Sequence, residues 1–327
     1  MILTRKVSLM SVLKKILPLG LALVIGIGLA GCSEKKEDTK KSEEYKIGVL
    51  SIDDSFPIYV AEKDGLFKKA GVDVKVVPFK SSSEESQAME SGSIDMMMND
   101  MVVQSLLKKS GTDTTIMATA YGATPQEGRF VVVAAPKSGI KNPEQFYGKK
   151  VGISKNTMMQ YLMDSYFKHL NLDINKVETV NIPNLQTRME ALLSGKIDGA
   201  ILPDPLASLA MKKGAIPVID DTKLGENFSQ SVILVSNKVL ENRNEDTEKV
   251  MKSIFEAMEE INKDPKKYMD MEREFSRVPE PLKGEYPMPH YSPDKKPTES
   301  EVKKVQDWMV KNNLIKEPFD YKDLAEK

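Results

Sequence analysis

A five-residue phrase occurs twice in this chain, at 91–95 and again at 194–198, each time where a helix stops and a strand starts. Ser91-Gly92-Ser93-Ile94-Asp95 and Ser194-Gly195-Lys196-Ile197-Asp198 differ at a single position. The surroundings repeat as well. Before the first copy, Tyr45 to Ile52 reads as a strand, and Ser55-Phe56-Pro57 opens a helix, Ser55 placed to cap and Pro57 tolerated in the first turn. Val72 to Phe79 is a β-branched strand, Ser81 to Ser91 a short helix, and Ile94 to Met98 a third strand. Before the second copy, Lys150 to Ile153 reads as a strand and Ser154 to Leu172 as a helix. Met159, Leu162, Met163, Tyr166, Phe167 and Leu170 form its apolar stripe. Val177 to Ile182 is a strand, Asn184 caps a helix carrying Leu185, Met189, Leu192 and Leu193, and Ile197 to Leu202 is the next strand. Strict alternation argues for parallel sheets covered by helices, and the repetition for two similar α/β lobes.

Only the N-terminus departs from a soluble composition of 40 % hydrophobic and 29 % charged residues, which excludes a polytopic membrane protein. Arg5, Lys6, Lys14 and Lys15 precede an apolar run from Ile16 to Gly31, too short for a spanning helix and suited to an export signal. The run ends in Leu29-Ala30-Gly31-Cys32, which resembles the bacterial lipoprotein cleavage box. Residues 1–31 are therefore expected to be a lipoprotein signal peptide, with lipid on Cys32 anchoring the chain to the extracytoplasmic face of a membrane. Cys32 is the only cysteine, so no internal disulfide supports the fold. Residues 33–44 contain nothing apolar, and 32–44 reads as a disordered tether. The formal net charge is −1, and loss of the basic leader makes the rest more acidic. Nothing in that balance calls for nucleic acid.

Phe56-Pro57-Ile58-Tyr59-Val60-Ala61-Glu62-Lys63-Asp64-Gly65-Leu66-Phe67 resembles the P-x-x-V-A-x-x-x-G-L-F opening of a family of ABC-transporter substrate-binding proteins, the nitrate, sulfonate, taurine and thiamine-pyrimidine-precursor group. The repeated Ser-Gly-x-Ile-Asp phrase, Tyr147-Gly148-Lys149-Lys150-Val151-Gly152, and Ala191 to Asp198 through Pro203-Asp204-Pro205 are similar to later landmarks of that family. The similarity runs over residues 45 to 265. It implies a hinged, periplasmic-binding-protein-like molecule that closes two lobes on a small molecule and delivers it to an ABC permease and ATPase, acting as a monomer without a cofactor. Crossovers are expected near Val133 to Pro136 and Phe228 to Val232. That gives one lobe of residues 45–135 plus 228–327 and another of 136–227, the first including the helix from Asp246 to Asn262.

Ligands of open α/β sheets lie beyond the carboxyl ends of the strands. That rule selects Asp54, Ser55 and Phe56 after the first strand, Asp100 after the third, and Gly122 after a strand over Thr115 to Ala120. In the second lobe it selects Ser154, Asn156, Thr157 and Met158 at a helix N-terminus, and Asp204 between two prolines. Free N–H groups there suit an anion or carbonyl, although Ser154 or Asn156 would serve equally as a cap. Asp204 could read an amino group or merely stabilise its turn. Two acids opposite one helix end favour a neutral or amine-bearing organic ligand, a thiamine-precursor-like heterocycle, amine or sulfonate, unless Lys80 or Lys155 points inward. Val278 to Pro297, rich in proline, reads as a strap or lid whose Tyr286, His290 and Tyr291 either reach the cleft or pack along the surface. Thr298 and Glu301 form a capping box for a last helix bearing Trp308.

An enzyme is disfavoured. The two histidines, His169 and His290, lie far apart in sequence, the cysteine is committed to lipid, and neither metal-ligand spacing nor a phosphate loop stands out. A sensory or adhesive lipoprotein that binds without transporting fits the same sequence.

Overall fold

The computed structural model describes residues 43–125, 127–275 and 287–326; the signal peptide, Cys32 and Tyr286 lie outside them. Ten strands form two five-stranded sheets. The first contains β1 (Tyr45–Leu50), β2 (Val74–Phe79), β3 (Met96–Asp100), β4 (Thr114–Tyr121) and β10 (Ser231–Ser236) in the order β2-β1-β3-β10-β4. The second contains β5 (Phe130–Ala134), β6 (Lys150–Ile153), β7 (Glu178–Asn181), β8 (Gly199–Pro203) and β9 (Ile216–Asp220) in the order β7-β6-β8-β5-β9. The two orders are the same once β1, β2, β3, β10 and β4 are matched to β6, β7, β8, β5 and β9. In each sheet the fourth strand alone runs antiparallel to its neighbours.

Helices α1 (Phe56–Lys63), α2 (Leu66–Lys69), α3 (Ser82–Glu90) and α4 (Met101–Ser110) accompany the first sheet, and α5 (Met158–His169), α6 (Leu185–Leu193) and α7 (Leu206–Lys212) the second. The chain ends in α8 (Asn237–Lys263), α9 (Pro265–Phe275), α10 (Glu299–Lys311) and α11 (Tyr321–Ala325). Strand alternation sorts the cores: Val131 and Val133 enter one cluster with α6 and α7, while Val132 and Ala134 enter another with α5. That second cluster continues through α4 and α10, so one apolar core joins the lobes.

The repeated phrase has the same physical task in both lobes. Gly92 and Gly195 adopt the left-handed conformation that ends α3 and α6 (φ 68° and 72°). Ile94 and Ile197 then fold under the first strand of their sheet, where a Cβ on Gly48 or Gly152 would lie 2.7 Å from the isoleucine Cδ1. Glycine gives each isoleucine the room it occupies, and a larger residue would have to push it aside. Asp95 accepts the Lys46 backbone N–H at 2.8 Å and Asp198 that of Lys150 at 2.9 Å, pinning each phrase to its strand.

The expected first crossover was placed too late. Phe130 to Ala134 pairs with β8 and β9 and so belongs to the second sheet, not to a first lobe ending at 135. The sequence run is equally apolar whichever sheet receives it. The chain crosses at 122–129 and returns at 224–230. At that point Gly122, at φ 80°, lies against the returning chain, a Cβ there falling 2.3 Å from the Ser229 carbonyl oxygen. The C-terminal stretch 287–297 packs along the first lobe, where Tyr291 is fully buried and its hydroxyl donates to the Asp53 carbonyl at 2.7 Å. Thr298 and Glu301 do form the capping box of α10, and Trp308 Nε1 donates to Asp164 on α5 at 2.8 Å.

Candidate functional site

The carboxyl ends of β1 and β3 face those of β6 and β8 across a narrow cleft, lined from the first lobe by Asp54, Ser82, Asn99 and Asp100 and from the second by Ser154, Thr157, Met158 and Arg188. The cleft volume is about 40 Å³, room for little more than water, against the several hundred Å³ of typical small-molecule pockets.

The first-lobe wall is acidic. Asp54 is buried and its Oδ1 accepts the Ser55 hydroxyl at 2.8 Å; burial pushes its pKa up to about 7. Asn99 donates from Nδ2 to Glu85 Oε2 at 2.7 Å and accepts the Ser82 hydroxyl at 2.7 Å. Glu85 is fully buried, its Oε1 has no hydrogen-bond partner, and burial, with Asp54 and Asp100 nearby, raises its pKa well above the usual range. Asp100 caps α4 by accepting the Val103 N–H at 2.9 Å, and its other oxygen accepts the Met158 N–H across the cleft at 3.0 Å.

The second-lobe wall is cationic. Arg188 is fully buried, its Nε and Nη2 have no hydrogen-bond partner, and Nη1 makes one long bond of 3.4 Å to the Ile182 carbonyl. Burial presses its pKa down to about 9, leaving it charged at neutral pH. The Ser154 hydroxyl oxygen is also buried without a partner.

Beside the cleft, in a smaller pocket shared with Asp54 and Asp204, Arg129 ties the first crossover down. Nη2 donates to Asp220 at 2.8 Å and Nη1 to Asp204 at 3.2 Å and to Ser208 at 3.3 Å. Asp221 accepts the Phe130 N–H and the Tyr166 hydroxyl, both at 2.9 Å.

The structure gathers Asp54, Asp100, Ser154, Thr157 and Met158 around the cleft, sets Asp204 with Asp54 around a smaller adjoining pocket, and places the other candidates differently. Ser55 faces Asp54 without lining the cavity. Phe56 sits in the first-lobe core, its ring 5.9 Å from that of Phe275. Gly122 belongs to the crossover. Asn156 is exposed, in a left-handed turn, and the helix begins at Met158, not Ser154. Its first amides are all engaged, with Asp100, the Thr157 hydroxyl and, for Gln160 and Tyr161, the Thr157 carbonyl. That helix end therefore offers a ligand nothing while the lobes are together. Asp204 accepts from Arg129 and, at 2.8 Å, from the Ser208 hydroxyl, and it lines the adjoining pocket beside Asp54.

Lys80 and Lys155 are exposed; the cation of the cleft is Arg188. Arg188 and Glu85 were missed because charges in a helix read as solvent-facing. A signal existed: Arg188 keeps the apolar spacing of Leu185, Met189 and Leu192, and Glu85 that of Met89. The histidines lie elsewhere, His169 against Glu226 at 3.3 Å and His290 near Glu127 at 3.6 Å. Among the described residues no group of histidine and acidic side chains is arranged for a metal ion, and no helix is long and apolar enough to cross a membrane.

A family model described as NMT1/THI5 like matches residues 53–268. "Putative binding protein YtlA" of Bacillus subtilis (strain 168) is 25% identical over 343 residues, covering 95% of this chain and 96% of that protein. The periplasmic aliphatic sulphonate binding protein SsuA from Escherichia coli has a similar structure, with TM-score 0.71 and 20% identity over 87% of this chain and 92% of that one. The alkanesulfonate-binding protein SsuA from Xanthomonas axonopodis pv. citri, bound to MOPS, gives TM-score 0.72 and 17% identity over 83% and 93%. At these identities the structural likenesses show the fold, which is the two-lobed α/β architecture expected from the sequence.

Proposed function

The chain belongs to the NMT1/THI5-like family, and on that premise we propose that it is the extracytoplasmic solute-binding component of an ABC importer, held to the membrane by lipid on Cys32. The observation that carries this reading is the cleft itself. Two lobes of like topology enclose it, and its second-lobe wall carries buried polar atoms, on Arg188 and Ser154, that find no partner within the protein. A solute that touches both walls supplies those partners and stabilises the closed arrangement, shifting an existing open–closed equilibrium. Related proteins support the reading by their names as binding proteins. The chain captures and hands over its solute without altering it.

The full chain, incubated with the small-molecule fraction of a bacterial extract, is expected to retain a solute in native mass spectrometry and to show a smaller radius of gyration by X-ray scattering. Retention with no change in shape overturns lobe closure, and no retained solute overturns the binding role. Cys32→Ser is expected to move the protein from the membrane to the soluble fraction, read by detergent partitioning.

A further inference from the structure

In each sheet one strand runs into an acid that begins the next helix: Asp100 ends β3, and Asp204 directly follows β8. The two carboxylates share a first task. Asp100 Oδ1 accepts the Val103 N–H of α4 at 2.9 Å, and Asp204 Oδ1 accepts the Ser208 N–H of α7 at 2.9 Å. Their second oxygens differ. Asp204 Oδ2 accepts from Arg129, which directly precedes β5 of its own sheet. Asp100 Oδ2 crosses to the other lobe and accepts the Met158 N–H at 3.0 Å.

That crossing bond joins two helix starts through one carboxylate. Asp100 is the N-cap of α4, and Met158 is the first residue of α5, behind the N-cap Thr157. Both helix ends favour a negative charge, so one buried acid is served by two dipoles that belong to different lobes. Burial raises the Asp100 pKa, and the amides of Val103 and Met158 pull it back. Neither this bond nor the apolar cluster that continues from α4 to α5 needs a solute to form. Parting the lobes leaves Asp100 with α4 alone and strips the Met158 amide of its acceptor. Asp100 also stands in the wall of the cleft, so anything that reaches for the start of α5 must first displace it. Resting on the solute-binding reading, we propose that Asp100 is an intramolecular latch, which holds the lobes together by protein contacts alone and blocks the start of α5 until they part.

The test measures the distance between the lobes in the full chain freed of solute, as verified by native mass spectrometry. Spin labels are carried by Lys80→Cys and Lys155→Cys, exposed positions on the first and second lobes, in a Cys32→Ser background. With Asp100 intact, a single short distance is expected. Asp100→Asn keeps an oxygen for the α4 cap but turns an N–H toward Met158. It is expected to lower the closed-to-open ratio about 10- to 100-fold, the range for a lost hydrogen bond to a charged group. Met158→Pro removes the same bond from the other lobe, at the first helical position where proline is tolerated, and is expected to act alike. Combining the two should add little to either alone. A solute-free chain that is mainly open with Asp100 intact overturns the latch, and so does a distance distribution that either folded variant leaves unchanged. Should one variant fail to fold, the other decides. Because these distances are read without solute, the latch can fail while the extract still yields a bound solute. Conversely, a latch that holds in a chain retaining nothing from the extract stands while the solute-binding role falls.

Discussion

Arg129 and Arg188 are both drawn into the protein beside the same sheet, and their surroundings differ in almost every respect. Arg129 faces Asp204 and Asp220. Burial alone would press its pKa down, but those hydrogen bonds and charges outweigh it and hold it above the usual arginine range. Arg188 meets no carboxylate, and burial acts unopposed. The first is a finished structural joint that fastens the crossover at Arg129–Phe130 to β8 and β9. The second is an unfinished one, which a fold keeps when something else completes it. A buried charge is therefore informative through its partners, and the missing partner marks function better than the charge itself.

The comparison breaks most visibly if Arg129 is removed. Arg129→Met strands Asp204 and Asp220, and is expected to cost about 3 kcal/mol in denaturant unfolding, the lower end for a severed buried pair because the guanidinium is partly exposed. Arg188→Met should do the reverse, leaving the unliganded protein as stable or more stable by about 1–2 kcal/mol, since it relieves an uncompensated charge. A loss comparable to that of Arg129→Met would mean that Arg188 is structural.

The smallest effect separates the two regions by pH. Asp220, held down to about 2 by Arg129, Thr222 and Lys223 against the opposing effect of burial, has a folded pKa below its ordinary 3.8. Its stabilisation is present above about pH 4 and is lost as the pH falls toward 2. Asp54, raised by burial from 3.8 to about 7, has the opposite sign. Its cost is absent below about pH 4 and grows as the pH rises through 7. Melting temperature measured from pH 2 to 8 is thus expected to peak at mildly acid pH. Asp54→Asn should flatten the upper limb and Arg129→Met the lower.

Much of this architecture was legible because periodicity and punctuation are local. The strands, the amphipathic α5 and α8, the capping box at Thr298 and the repeated phrase all follow from short-range pattern. The start of α5 was misplaced because Ser154 to Thr157 contains several plausible caps, and only the left-handed turn at Asn156 makes Thr157 the effective one. Phe130 to Ala134 could not declare its sheet, since membership is decided by long-range pairing. Asp54 and Asp100 were found from their places at strand ends. Glu85 and Arg188 were not, because burial of a charge under a glycine requires knowing which strand passes above it.

The strand order has a consequence for the order in which the molecule can be made. Residues 130–223 form the second sheet without help from elsewhere in the chain, so this half can complete its hydrogen bonding as soon as it emerges. The first sheet cannot. β3 and β4 do not pair with each other; both pair with β10, which arrives only at Ser231. Until then β4 has no strand beside it, and the half synthesised first is the half that must finish last. For a chain that emerges N-terminus first, this delay keeps the opening segment unfinished through most of its synthesis.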